Sequence, residues 1–162
     1  MQSRPLLQGD AKSVWMINEQ GLPGTGKVSV DEIQHLISIS KVALGVFEQE
    51  DLVGFIICLS PNVDYDSLNY AWFNERYEEF FYIDRIAVST SERNKGIGSY
   101  LYRELIELSN QKRIPIAAEV NLKPLNVGSM RFHFGFNFSE IGILHHKEKS
   151  VTMLLRQVDE SV

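Results

Sequence analysis

The sequence predicts a single mixed α/β domain. The stretch Phe80 to Ser99 reads as an apolar strand, a glycine turn and a helix start in direct succession. Apolar runs of strand length stand on either side of it, with segments of helical spacing between some of them. A chain of 162 residues that is 44% hydrophobic can bury a full core, so disorder is not expected.

In chain order, Ser13 to Ile17 is expected as the first strand. The next segment, Gly21-Leu-Pro-Gly-Thr-Gly-Lys-Val28, nearly matches a Walker A loop, but Val28 stands where a hydroxyl should hold Mg²⁺. The other reading is a Pro/Gly turn between strand and helix. Ser29 or Asp31 caps that helix, which carries Ile33, Leu36, Ile37 and Ser40 on one face and His35 beside it. Val42 to Phe47 and Leu52 to Leu59, joined by four polar residues, form an antiparallel hairpin as the second and third strands. Ser67 to Glu79 has helical spacing, with Phe73, Tyr77 and Phe80 at i, i+4 and i+7.

Phe80 to Val88 has the composition of a strand covered on both faces, broken by Asp84 and Arg85. A carboxylate inside such a strand is costly unless it is paired or functional, and Arg85, as the next residue, is expected to project to the opposite face. From Ile97 the positions Ile97, Leu101, Leu105 and Leu108 form a core-facing stripe. Gly96 and Gly98 let the backbone approach a ligand, and the first-turn N–H groups point at it, which suits an anion. Arg93 and Lys95 add positive charge beside the turn. Ile114 to Val120 is the fifth strand, Pro124 and Asn126 begin a short helix that Gly135 stops, and Phe138 to His146 with Val151 to Gln157 close the chain as a hairpin. His145 and His146 point to opposite faces, so they do not share a metal.

Several function classes are disfavoured. Basic residues are scattered and the formal charge is −5, which leaves no footprint for nucleic acid. No apolar run has membrane-span length and the N-terminus lacks a signal-peptide core, so a cytoplasmic protein without membrane attachment is expected. The one cysteine, Cys58, lies in an apolar run and reads as a core residue.

The spacing Ile86-Ala87-Val88, five residues to Arg93, then Arg-x-x-Gly-x-Gly through Gly98 resembles motif A of the GCN5-related N-acetyltransferases. The likeness extends through Asn121, Asn126, Ser129, Phe132, Gly135 and Phe136, spanning roughly Asp84 to Phe136. It implies a mixed, mostly antiparallel sheet of about seven strands with helices on both faces, splayed between strands four and five. Acetyl-CoA is then the cosubstrate. Ile86, Ala87 and Val88 would pair with its pantetheine arm, while Arg93, Asn94, Lys95, Gly96, Ile97, Gly98 and Ser99 surround its pyrophosphate. Asn126 and Ser129 match further cofactor-binding positions. The implied reaction is direct attack of a primary amine on the thioester, without a metal. Asp84 matches the family's general base. His133 stands seven residues after Asn126 where the family has its acid, although the interval to Gly135-Phe136 is two residues short of the usual pattern; Tyr77 and Tyr82 are the replacements. Under this reading the aromatic segment ahead of the strand, with Tyr70 and Trp72, forms the acceptor-binding wall; core packing or a homodimer surface is the other reading. Two further functions fit parts of the pattern: a catalytically silent CoA-binding regulatory domain, and a P-loop nucleotide-binding protein using Gly21 to Lys27.

Overall fold

The computed structural model describes residues 1–122, 125–147 and 149–160, so the expectations for Pro124, and for Glu148 in the closing hairpin's turn, lie outside the described residues. The elements are β1 (Gln2–Pro5), α1 (Ala11–Gln20), α2 (Val30–Ile39), β2 (Val42–Glu48), β3 (Asp51–Leu59), α3 (Leu68–Asn74), β4 (Phe81–Val88), α4 (Ile97–Lys112), β5 (Ile116–Asn121), α5 (Val127–Gly135), β6 (Ser139–His146) and β7 (Lys149–Arg156). The strands form one seven-stranded sheet in the order β1-β2-β3-β4-β5-β7-β6. Pairing is antiparallel for β1–β2, β2–β3, β5–β7 and β6–β7, and parallel for β4–β5. The chain groups into two compact units, residues 1–60 with 83–107, and residues 61–82 with the described residues from 108 onward.

In the first unit, Ser13 to Ile17 is not a strand. It lies inside α1, where Ala11, Val14, Ile17 and Asn18 are buried at helical spacing, packed on α2 and β3. Five residues are too few to separate a period of 2 from one of 3.6. The first strand is instead Gln2–Pro5, a short polar edge whose identity comes from its partner, with Gln2 opposite Phe47 and Pro5 opposite Leu44. Helix α2 begins as expected at Ser29, whose Oγ accepts the Glu32 N–H at 3.1 Å while Glu32 Oε1 accepts the Ser29 N–H at 3.4 Å. It buries Ile33, Leu36 and Ile37. The segment Gly21 to Lys27 therefore joins two helices, not a strand to a helix. The P-loop reading fails on that context, since its loop must leave a strand.

In the second unit, Ser67 caps α3 by accepting the Tyr70 N–H at 3.2 Å, and the helix stops at Asn74, short of the expected Glu79. Phe81 and Tyr82 of β4 pair with Ile116 and Ala117 of β5, and β5 is covered along its length by β7. The last two strands form the expected hairpin, with His145 Nδ1 2.7 Å from Ser150 Oγ. Among the described residues no helix is long and apolar enough to cross a membrane, and no group of three or more His, Cys, Asp or Glu side chains is placed to hold a metal.

Candidate active site

The glycine turn is built in the first unit. Ile86, Ala87 and Val88 are half-buried, in contrast to the fully buried end of β3 beside them in the fold. The chain leaves the strand with Ser89 N–H bonded to Val53 O at 2.8 Å, turns through Thr90–Glu92, and enters left-handed backbone at Asn94 (φ 64°) and Gly96 (φ 82°). The bond from Tyr100 N–H to Gly96 O at 3.0 Å closes the first turn of α4. The N–H groups of Ile97, Gly98 and Ser99 lie ahead of it and have no acceptor within the helix. Ile97, Leu101 and Leu105 are buried while Arg103 and Glu107 face solvent, as the stripe predicted.

Steric space distinguishes the glycines. A Cβ built on Gly96 or Gly98 meets no heavy atom within 4 Å. Gly96 is explained by its positive φ; Gly98 is not needed by the fold at all. A glycine that costs helix stability and frees only open space fits a backbone kept bare for a ligand. Gly54, which sequence reasoning passed over, is the opposite case: its Cβ would stand 2.7 Å from Ile97 Cγ2 and 3.4 Å from Ala87 O. The bare β3 backbone is what admits the root of α4. Its only signal was an isolated glycine in a strand.

The two cations are engaged locally. Lys95 Nζ pairs with Glu92 Oε2 at 2.8 Å. Arg93 reaches back to backbone carbonyls, Nε to Val88 O at 3.4 Å and a terminal nitrogen to Gln20 O at 3.3 Å. Gln20 Oε1 in turn accepts both the N–H and the hydroxyl of Thr90, at 2.8 and 2.9 Å. Gln20 at the end of α1 thus fixes the turn from outside the motif.

Asp84 and Arg85 correct an expectation. The side chains do not part to opposite faces: Arg85 Nε donates to Asp84 Oδ2 at 2.7 Å, with the two side chains 6% and 4% exposed. The guanidinium is long enough to bend round the strand. Its terminal nitrogen also donates to Asn18 Oδ1 and Gly26 O, both at 3.1 Å, and Asn18 Nδ2 donates to Gly26 O at 3.0 Å. This buried network holds the Gly21 to Lys27 loop. Cys58 is fully buried, and burial, with the Asp84 carboxylate adding to it, pushes its thiol pKa far up, so it is an inert core residue.

The second unit holds the other predicted residues. Asn126 caps α5, its Oδ1 accepting the Ser129 N–H at 3.0 Å. His133 is buried one turn further, edge-on to Phe132 and Phe138, with Nδ1 donating to Ser129 O at 2.7 Å. Burial lowers its pKa, partly offset by that bond, so the neutral ring is favoured. Tyr70 does not present an open wall. It is 1% exposed, packs against Tyr65, Phe80 and Tyr82, and its hydroxyl accepts the Val63 N–H at 2.9 Å. Trp72 is half-buried against the bare backbone of Gly142 and lies under the Arg76 guanidinium at 4.0 Å. Tyr77 is half-buried.

Sequence reasoning missed one polar cluster. Glu119 on β5 accepts the Tyr82 hydroxyl at 2.8 Å and Asn69 Nδ2 at 3.2 Å, both at Oε1. The signal was present, since Glu119 is the one charged residue in the apolar strand Ile116–Asn121.

A family model described as the acetyltransferase (GNAT) family matches residues 23–136, well over half of the chain. The chain belongs to the GNAT acetyltransferase family. It is by that membership an acyltransferase. No curated protein matches it in sequence. Three solved structures show how fully the GNAT fold accounts for it. The ribosomal-protein-S18-alanine N-acetyltransferase of Escherichia coli shares 12% identity over 99% of this chain and 96% of that one, with a TM-score of 0.76. NAA60 of Arabidopsis thaliana, solved with a bisubstrate analogue, gives 16%, 99% of both chains and 0.77. An aminoglycoside 6'-N-acetyltransferase complexed with coenzyme A gives 13%, 100% and 99%, and 0.74.

Proposed function

We propose that this GNAT protein is an acetyl-CoA-dependent N-acetyltransferase acting on a primary amine. The observation that carries the reading is the open glycine pair at the root of α4, where Gly98 has no steric reason to be glycine and three N–H groups await an acceptor. Bound acetyl-CoA supplies the thioester carbonyl that the amine attacks. The N–H groups of Asn94 to Ser99 bind its pyrophosphate, and the half-buried backbone of Ile86 to Val88 pairs with its pantetheine arm. Arg93 and Gln20 brace that turn more than they touch the anion. Asn126 serves first as a helix cap, and Ser129 offers its hydroxyl beside it.

An amine must lose a proton before it attacks. Asp84, the β4 carboxylate that matches the family's general base, stands two residues before the Ile86 to Val88 backbone, with its Oδ2 held by Arg85 Nε at 2.7 Å. We therefore assign proton acceptance to Asp84, with Arg85 holding that carboxylate and bracing the 21–27 loop. His133 serves packing in this account, because its surroundings favour the neutral ring that has no second proton to give.

Calorimetry with CoA and with Mg-ATP, followed by thiol release from acetyl-CoA over a panel of primary amines, tests the reading. CoA should bind, Mg-ATP should not, and thiol should appear only when an amine is present. CoA binding with silence across the panel would make this a regulatory CoA-binding domain. No CoA binding would end the proposal.

A further inference from the structure

We propose that Asn18 is a positioning residue for the Asp84 carboxylate, acting through Arg85, and that the Gly21 to Lys27 loop is the frame on which this arrangement is fixed. The inference rests on the N-acetyltransferase reading above, since it concerns the group that takes the amine's proton.

Asn18 is out of keeping with its face of α1. Ala11, Val14 and Ile17 make the buried side of that helix apolar, yet Asn18 is buried as completely as they are. Asparagine is weak in helices, and an amide in a core is costly unless both of its ends are bonded. Here both are: Oδ1 accepts Arg85 Nη1 at 3.1 Å, and Nδ2 donates to Gly26 O at 3.0 Å. Gly26 O also accepts Arg85 Nη1, at 3.1 Å. Asn18, Arg85 and Gly26 O therefore close a triangle in which each is bonded to the other two. The loop that carries Gly26 is tied to the same helix at two further points, Trp15 Nε1 donating to Val28 O at 2.9 Å and Thr25 Oγ1 donating to Asn18 O at 3.1 Å.

A guanidinium is rigid and planar, so two acceptors on Nη1 set the line along which Nε–H points. That N–H donates to Asp84 Oδ2 at 2.7 Å. Asn18 and Gly26 O thus decide which carboxylate oxygen is held and how the carboxylate is turned, and a proton acceptor works only in a fixed geometry to the proton it takes. Apolar residues of similar volume are often as stable as a buried polar set of this kind, or more so, which makes the fold alone a poor reason for Asn18.

The test follows the Arg85 Nε–H signal of isotope-labelled protein by NMR in wild type and in Asn18→Leu, which fills a similar volume with an apolar side chain. In the variant the signal should move towards that of an exposed arginine and exchange with water faster. The kcat for thiol release, with the amine of the panel above that turns over fastest, should fall about tenfold, the size of one lost hydrogen bond to a charged group, with the calorimetric CoA affinity unchanged. An Arg85 signal that stays in place, a folded variant with wild-type kcat, or an equal loss of CoA affinity would overturn the proposal. Should Asn18→Leu not fold, Asn18→Ser, whose hydroxyl is shorter than the amide and leaves room for water, carries the same readings. Wild-type protein that binds no CoA or releases no thiol would instead sink the parent reading, and this inference with it.

Discussion

Replacing Gly98 by alanine should strengthen the fold and weaken cofactor binding at once. Gly98 is the second residue of α4 and its added Cβ would meet nothing within 4 Å, so the methyl carries no steric cost. Alanine is favoured over glycine by about 0.5–1 kcal/mol within helices. Taking the low end for a first turn, the gain of about 0.5 kcal/mol corresponds to roughly 1–2 °C in Tm for a chain of this length. On the ligand side, the methyl intrudes where the N–H groups of Ile97 to Ser99 meet an anion. Loss of one charge-assisted hydrogen bond there costs about 1.5–3 kcal/mol, or roughly ten- to a hundredfold in Kd. Thermal unfolding without ligand, paired with calorimetric titration of CoA, reads both signs. Gly54→Ala is the counterpart: its clash with Ile97 should cost about 1–3 kcal/mol of stability. Unchanged CoA affinity in Gly98→Ala, with the fold intact, would refute the reasoning that glycine is there for the ligand.

Asp84→Asn should lower kcat at unchanged CoA affinity and cost about 3–5 kcal/mol of stability, because it takes the carboxylate away from buried Arg85; equal loss of CoA affinity and turnover would leave the carboxylate a structural role alone. Tyr70→Ala should cost about 3–5 kcal/mol in chemical denaturation, as removal of a core aromatic does; intact stability with a raised amine KM would make it a wall residue after all. His133 has a native pKa below its ordinary 6.5, so as pH falls through 6.5 the unfolded chain takes a proton that the native ring refuses. Stability should therefore fall with pH below 6.5, and His133→Phe should flatten that limb; an identical pH dependence in the variant would place the titration elsewhere.

Elements with strong local signals were legible in the sequence. Helix α4 follows from its glycine turn and four-residue stripe, α2 from Ser29 and Glu32, and the β2–β3 hairpin from two apolar runs around a polar turn. What failed was short or set by partners. Ser13 to Ile17 fits either period until α2 and β3 bury one face of it, and Gln2–Pro5 has no strand signal of its own until it pairs with β2. The site divides the same way. Gly96 and Gly98 announce themselves by spacing. The Asp84–Arg85 pair depends on a long side chain curling round the strand, and the meeting of Asn69, Tyr82 and Glu119 depends on three segments whose separations in sequence say nothing of their distance. The aromatic segment is ambiguous in sequence because density of rings marks burial as readily as a pocket, and Tyr70 went to the core while Trp72 is half-buried.

The central claim is that the root of α4 grips the pyrophosphate of acetyl-CoA, and backbone amide NMR during a CoA titration tests it most directly. The account predicts that the N–H signals of Gly96, Ile97, Gly98 and Ser99 shift downfield together and saturate at one CoA per chain, with those of the Gly21 to Lys27 loop moving less. Saturable binding that leaves the α4 amides in place, or shifts that centre on Gly21 to Lys27, would contradict it.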